Sequence, residues 1–224
     1  MPPLTRFHSV WRLIFMGLML LCALIAVPAF AADAGLDRLL DRVEEHYNQA
    51  KTLQVSFIEQ YTPPGSIRRT ESGVLMLRKP GRMRGEYSLP KGKLFISDGK
   101  IFWLYTPADN RVAKMPLKAS EDMRAPLAFL LGKLNFSKEF RNLRQQPEGA
   151  STRVFAEPKS EELPYSSVEF LVSSENRISE LKVTGFDRSI LDFVFTDEKV
   201  DPPLDSKLFQ FQVPTGAVVE ETEQ

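Results

Sequence analysis

The sequence has little of the residue types that metal sites and thiol chemistry need. Among 224 residues there is one cysteine, Cys22, and there are two histidines, His8 and His46. A zinc site needs several cysteine or histidine ligands, and a disulfide needs two cysteines. The sequence also lacks a Walker loop and a dinucleotide fingerprint. We therefore expect no disulfide, no bound metal and no cofactor.

Recognisable catalytic motifs are absent as well. His46 would have to serve any Ser-His-Asp triad, and no Gly-x-Ser-x-Gly elbow accompanies it, so we interpret it as a partly exposed helix histidine. The acidic pairs at 44–45, 161–162 and 197–198 lie in polar stretches that we expect to be solvated, which argues against tuned carboxylates. We predict that the protein is not an enzyme, and we keep a hydrolase as the weakest alternative.

The first 31 residues contain no acidic side chain and have the features of a Sec export signal. Arg6 and Arg12 supply the positive start, residues 13–27 carry no charge, and residues 28–31 end in a small-x-small pattern. We predict cleavage after Ala31, which leaves 32–224 as a single domain. A retained anchor is the alternative, because the uncharged run approaches the roughly 20 residues of a transmembrane helix. Cys22 follows two leucines rather than a small residue, so we interpret it as part of the hydrophobic run.

Cleavage would leave a chain that is close to electrically neutral. Removing Arg6 and Arg12 from the 29 Lys and Arg residues leaves 27 against 29 acidic residues, a net charge of −2. Nucleic-acid binding relies on clustered cations. We therefore exclude a nucleic-acid partner.

The remaining pattern predicts one helix followed by many short strands. Apolar residues recur at helical spacing over 36–50, and the period then changes to two. Strand-like runs separated by turn residues occur at 53–57, 70–78, 82–89, 94–97, 100–105, 111–114, 152–157, 166–172, 178–184, 189–196 and 207–213. Asp98-Gly99 predicts a type I′ hairpin turn, and 220–224 has the composition of a frayed acidic tail. About eleven strands imply a barrel or a strongly curved antiparallel sheet.

A short apolar segment interrupts the strands. Residues 126–132 begin with proline and end with glycine, which predicts a short helix that is apolar all round. Such a helix is either covered on several sides or part of a binding surface.

Four motifs in order resemble the LolA family of periplasmic outer-membrane lipoprotein carriers. They are Gly-Val-Leu with Arg-Lys-Pro-Gly at 73–81, Ser-Asp-Gly-Lys with Trp-Leu-Tyr-Thr-Pro at 97–107, the apolar helix at 126–132, and Phe-Gln-Phe-Gln-Val-Pro-Thr-Gly at 209–216. The resemblance covers nearly all of residues 32–224. It implies an incomplete antiparallel β-barrel closed by a helical lid over an apolar cavity.

The resemblance also implies a function and partners. Members of this family carry the acyl chains of lipoproteins across the periplasm, from an inner-membrane ABC transporter that releases lipoproteins to an outer-membrane receptor. Burying an acyl chain of typical length is worth roughly 10 kcal/mol, so crossing water requires a cover. We expect a monomer that binds acylated lipoproteins. A carrier of another lipid and a LolA-like periplasmic regulator are the alternatives.

The candidate binding residues follow from these motifs. The predicted cavity and lid residues are Phe57, Met76, Met83, Trp103, Leu127, Phe129, Leu130 and Leu131. In the family an arginine before the turn proline latches the lid; Lys79 occupies that position here and Arg78 precedes it. Lysine lacks the planar donor fork of arginine, so we expect a looser latch. Met83 and Gly85 stand where the family has larger side chains, which predicts a larger or softer pocket.

Overall fold

The computed structural model describes residues 29–117, 134–161 and 163–221, with side chains from residue 34 onwards. Residues 1–37 and 38–224 form two separate units. The described part of the first unit is the beginning of helix α1 (Ala29–Gln49), and the features below belong to the second. The predicted lid helix, including Leu127, Phe129, Leu130 and Leu131, lies outside the described residues. The export signal and its cleavage after Ala31 stay predictions.

Helix α1 confirms the first predicted element. Leu39, Leu40, Val43 and Tyr47 are buried at the expected spacing, and charged residues between them are exposed or half-buried. Within the described ranges, no helix is long and apolar enough to cross a membrane.

In the described part of the second unit, most residues belong to a single open sheet of twelve strands. The strands are β1 (Thr52–Thr62), β2 (Arg69–Arg78), β3 (Arg82–Leu89), β4 (Leu94–Asp98), β5 (Ile101–Thr106), β6 (Arg111–Pro116), β7 (Phe140–Glu148), β8 (Ser151–Pro158), β9 (Tyr165–Val172), β10 (Ile178–Gly185), β11 (Ile190–Val200) and β12 (Val218–Glu221). Their spatial order is β12-β6-β5-β4-β3-β2-β1-β11-β10-β9-β8-β7. Every pair is antiparallel except β12 with β6. The mainly antiparallel, unclosed sheet confirms the predicted fold class.

Ten of the eleven predicted strands are present, and the strand predicted over 207–213 is wrong. Its first half is a 3₁₀ helix, η1 (Ser206–Phe209), which the Asp205 side chain caps by accepting a hydrogen bond from the Lys207 N–H. Arg84 of β3 donates to Leu208 O of this segment at 2.9 Å, and Arg78 of β2 donates to Leu204 O just before it at 3.2 Å. The segment therefore crosses the sheet instead of joining it.

Two strands that the pattern did not indicate, β7 and β12, form the sheet edges. In β7 only Phe140 is buried, so apolar alternation is missing, and Pro147 near its end suits an edge. In β12 all four residues are exposed, and the strand pairs with β6 through Arg111–Glu220 and Lys114–Glu221 ion pairs. The prediction of a frayed tail is therefore wrong for Glu220 and Glu221.

The Asp98-Gly99 hairpin is confirmed, but its predicted turn type is wrong. Gly99 has φ of 99°, whereas Asp98 is not among the residues with positive φ. The Asp98 carboxylate instead accepts hydrogen bonds from the N–H groups of Lys100 and Ile101, both at 2.8 Å. Such side-chain turns are a regular alternative to type I′ geometry.

Candidate functional site

Strand register sorts the predicted binding residues onto two faces of the sheet. Residues directly opposite in an antiparallel pair project to the same face. Phe57 is opposite Gly73, and Gly73 is opposite Tyr87. By the same reasoning, six aromatic side chains of β1, β3, β4, β5 and β11 project to one face, and we call this part of the sheet the aromatic face: Phe57, Tyr87, Phe95, Phe102, Phe193 and Phe195.

The rings of the aromatic face contact each other in an unbroken series. From β5 to β3 the centroids of Phe102, Phe95 and Tyr87 are 6.0 and 6.0 Å apart. Tyr87 meets Phe57 edge-on at 5.2 Å. Phe57 lies 6.4 Å from Phe193 of β11, which stacks on Phe195 at 5.7 Å. These separations are within the range of favourable aromatic pairs, so the series is a continuous apolar surface.

Gly73 of β2 lies between the two rings at the centre of this series. Phe57 and Tyr87 are on strands that are not neighbours, and β2 runs between them. A Cβ atom at Gly73 would meet Glu86 O of β3 at 2.1 Å. Glycine therefore permits the close approach of the β3 backbone at this point.

Gly85 does not enlarge the pocket as the sequence suggested. A Cβ atom there would lie 2.2 Å from the Phe95 ring. Phe95, which pairs with Gly85 across β3 and β4, fills the space above the glycine. Met83 lies on the same face and is fully buried.

A second aromatic cluster covers another part of the same face. Phe170 of β9 is edge-on to Phe136 of helix α2 (Phe136–Glu139) at 5.3 Å and to Phe140 at 5.6 Å. All three are buried. This cluster is a packed core on β7–β9, whereas Tyr87 and Phe195 of the aromatic face are only half-buried.

Beyond Phe57 along β1, the same face of the sheet carries charged side chains. Glu59 lies opposite Glu71 on β2 and opposite Phe193 on β11. Burial, together with repulsion from Glu71, raises the pKa of Glu59 to about 7, although Lys93 opposes the shift. Lys93 forms an ion pair with Glu71 and lies 4.4 Å from the centre of the Tyr87 ring. The aromatic face thus ends in a part-buried polar cluster.

Met76 and Trp103, which the sequence grouped with Phe57 and Met83, lie on the opposite face. Met76 pairs with Arg84 and Arg84 with Ile96, and Ile96 in turn pairs with Trp103. The segment after β11 crosses this face, where Phe211 stacks on Trp103 at 5.9 Å. Only Phe57 and Met83 of the four therefore share the aromatic face.

Arg78 and Lys79, the predicted latch residues, bond to different elements. Arg78 donates to Leu204 O at 3.2 Å, in the segment that crosses the opposite face. Lys79 Nζ donates to Tyr47 O in the last turn of α1 at 2.6 Å, and burial lowers the pKa of Lys79. A small crevice beside this bond is lined by Leu53 and Leu77 among others. A latch to residues 126–132 stays a prediction.

A buried hydrogen-bond cluster attaches α1 to β10 and β11. The Tyr47 hydroxyl donates to Glu198 at 2.9 Å and accepts from the Ile178 N–H at 2.9 Å. His46, which is partly exposed as expected, lies 2.8 Å from the other Glu198 oxygen. The Glu198 side chain is only 8% exposed, so the expectation that this acidic pair is solvated is wrong for Glu198. Burial and the Glu198 charge raise the pKa of Tyr47.

Helix α1 also holds the chain segment that begins at Leu134. The Asn48 side chain donates to Leu134 O at 2.8 Å and accepts from the Leu134 N–H at 2.7 Å. Glu44 accepts from the Phe136 N–H at 2.6 Å. Sequence patterns missed these bonds because they join residues about ninety positions apart. In the described residues, no group of acidic, cysteine or histidine side chains could hold a metal ion.

Comparison with known proteins places this arrangement in a family. The model of the family described as outer membrane lipoprotein carrier protein LolA matches residues 48–212. The chain belongs to the LolA family. The LolA match spans β1 to β11 and the segment that crosses the opposite face, so it includes every residue of the aromatic face.

Individual relatives align with this chain over most of their length. An outer-membrane lipoprotein carrier protein of Nitrosomonas europaea is 25% identical over 211 residues, covering 93% of this chain and 98% of the relative. One from Pseudomonas aeruginosa is 27% identical over 202 residues, covering 89% and 96%. The solved structure of an uncharacterized conserved protein from Thermus thermophilus has a TM-score of 0.50 at 13% identity, covering 83% and 98%. This last similarity concerns the LolA-like fold alone.

Proposed function

We propose that this LolA-family chain carries lipoproteins across the periplasm, with their acyl chains against the aromatic face. The observation that supports the proposal most is the unbroken ring series from Phe102 to Phe195. It is a continuous row of apolar rings across β5, β4, β3, β1 and β11 of one sheet. Family membership and the names of the relatives support the cargo class.

The energetics fit such a role. An acyl chain gains about 0.8 kcal/mol for each CH₂ removed from water. Four of the six rings are buried and two are half-buried. An acyl chain could therefore contact the two half-buried rings directly. It could contact the four buried rings only after the side chains packed against them had moved. The proposed partners are an inner-membrane ABC transporter that releases lipoproteins and an outer-membrane receptor, with the protein acting as a monomer.

Photo-crosslinking from two adjacent positions tests the proposed face. Phe195 projects to the aromatic face, whereas Val194 projects to the other side and is 42% exposed. A photoreactive amino acid at position 195 should crosslink acylated lipoprotein in the periplasm, and the same group at 194 should not. Equal crosslinking at both positions would contradict this assignment of the face.

A binding assay on purified, exported protein measures how much Phe195 contributes to the affinity for acylated cargo. Full burial of a phenylalanine side chain is worth about 1.5–3 kcal/mol. Phe195 is already half-buried, so cargo can gain only part of this energy, and Phe195→Ser should weaken binding of a triacylated peptide by about two- to fivefold. Val194→Ser should leave the affinity unchanged. Native mass spectrometry of protein purified from its own periplasm would identify the cargo. A co-purified phospholipid in place of a lipoprotein would favour the alternative lipid-carrier function.

A further inference from the structure

Three neighbouring hairpin turns bring exposed apolar side chains together at one end of the sheet. The hairpins β3/β4, β1/β2 and β10/β11 are side by side in the strand order, and their turns all lie at the end where Thr62 pairs with Ile190. With strands about 4.8 Å apart, the six strands span roughly 25 Å. We call the turns at 63–69, 89–93 and 186–189 the hairpin rim.

Each turn of the hairpin rim presents one large apolar side chain to solvent. Ile67 is 85% exposed, Phe186 is 67% exposed and Leu89 is 53% exposed. Single exposed apolar residues are common on protein surfaces, but grouped ones mark interaction sites. Ile67 and Phe186 lie in turns and Leu89 is the last residue of β3, so all three are at the same end of the sheet.

The hairpin rim is also positively charged. Within the three turns, Arg68, Arg69, Lys91 and Arg188 are exposed, against one exposed carboxylate, Asp187. The flanking turns at the same end add two exposed carboxylates, Asp109 and Glu161, so the exposed cations still outnumber the carboxylates. Arg68 donates to the uncharged side chains of Gln60 and Thr62, at 2.8 and 3.3 Å. The Asp187 carboxylate accepts the Ser189 N–H of its own turn. Lys93, the remaining cation of these turns, forms an ion pair with Glu71 of β2 and adds no net charge.

We propose that the hairpin rim binds the surface of a bilayer that contains anionic phospholipid. Apolar side chains flanked by cations are the combination that enters the boundary between headgroups and acyl chains, where the cations meet phosphate groups. The strands that carry the aromatic face end at this rim, since Phe57, Glu59 and Tyr61 follow one another along β1 towards it. Docking here would bring the end of that face to the membrane.

Flotation of the exported protein with lipid vesicles tests the proposal. The protein should float with phosphatidylcholine vesicles that contain phosphatidylglycerol and should not float with phosphatidylcholine alone. Each cation near an anionic surface is worth about 1 kcal/mol, or about fivefold in affinity. Ile67→Ser combined with Arg68→Ser should therefore lower vesicle binding by about tenfold or more.

A matched control lies at the other end of the same sheet. Val200 is 43% exposed, and Lys199 beside it is also exposed. Val200→Ser combined with Lys199→Ser removes the same kinds of side chain and should leave vesicle binding unchanged. Both double variants should keep the melting temperature of the parent.

Three flotation results would each overturn the proposal: no flotation with anionic vesicles, equal flotation with neutral vesicles, or equal losses in the two double variants. Capture of a periplasmic protein through the hairpin rim without vesicle binding would also overturn it. The assay needs no cargo, so its failure leaves the proposed carrier function untouched.

Discussion

Glu59 should make the protein less stable as pH rises through neutrality, and Glu59→Gln should remove that loss. Burial raises the pKa of Glu59 from 4.5 to about 7. Between pH 4.5 and about pH 7, Glu59 is therefore protonated more fully in the folded chain than in the unfolded chain. Glutamine resembles the protonated form, so parent and variant should have similar free energies of unfolding below about pH 4.5.

The size of the effect follows from the two pKa values. Because each pKa unit corresponds to 1.36 kcal/mol, the step from 4.5 to about 7 sets an upper limit of about 3 kcal/mol. Glu59 is half-buried rather than fully buried, so solvent screens part of this energy and we expect about 1–2 kcal/mol. Glu59→Gln should be more stable than the parent by that amount at pH 8, and the difference should disappear as pH falls from about 7 to about 4.5.

Urea unfolding followed by circular dichroism at the two ends of this pH range measures the difference. Glu161→Gln serves as the control, because Glu161 is exposed and should show no pH-dependent difference from the parent. A Glu59→Gln variant that is less stable than the parent at pH 8, or equally more stable at both pH values, would refute the reasoning.

Two further substitutions test the packing around the aromatic face and the attachment of α1. Gly85→Ala places a methyl group where the Phe95 ring lies and should lower the free energy of unfolding by about 1–3 kcal/mol in urea titrations; no loss would show that Phe95 can move freely. Tyr47→Phe leaves a buried carboxylate oxygen and a backbone N–H without their partner. It should cost about 1–3 kcal/mol, seen as a lower thermal midpoint, and an unchanged midpoint would contradict the role of this hydroxyl.

Ten strands could be predicted because their apolar alternation and turn residues are local features. The strand predicted over 207–213 is wrong, although Phe209 and Phe211 alternate as in a strand. Arg84 of β3, which is distant in sequence, donates a hydrogen bond to the Leu208 carbonyl of that segment. The edge strand β7 was missed because an edge has few buried positions to alternate. Local pattern therefore predicts strands that bury one face and misses those held mainly by backbone pairing.

The candidate site could be predicted only in part. Phe57 and Met83 share the aromatic face, but Met76 and Trp103 do not, because the face of a residue depends on the register of its neighbours. Once the hairpin turns are fixed, counting residues outward from each turn gives that register. Contacts such as Asn48 with Leu134 have no local signal and require the folded chain.

The stacking of Phe211 on Trp103 has an optical consequence. The chain contains two tryptophans, Trp11 and Trp103, and Trp11 lies in the predicted export signal. Exported protein that has lost this signal would contain Trp103 as its single indole fluorophore, with Phe211 5.9 Å away. Its emission would therefore report whether the segment after β11 is seated on the sheet, and the chain would need no added dye.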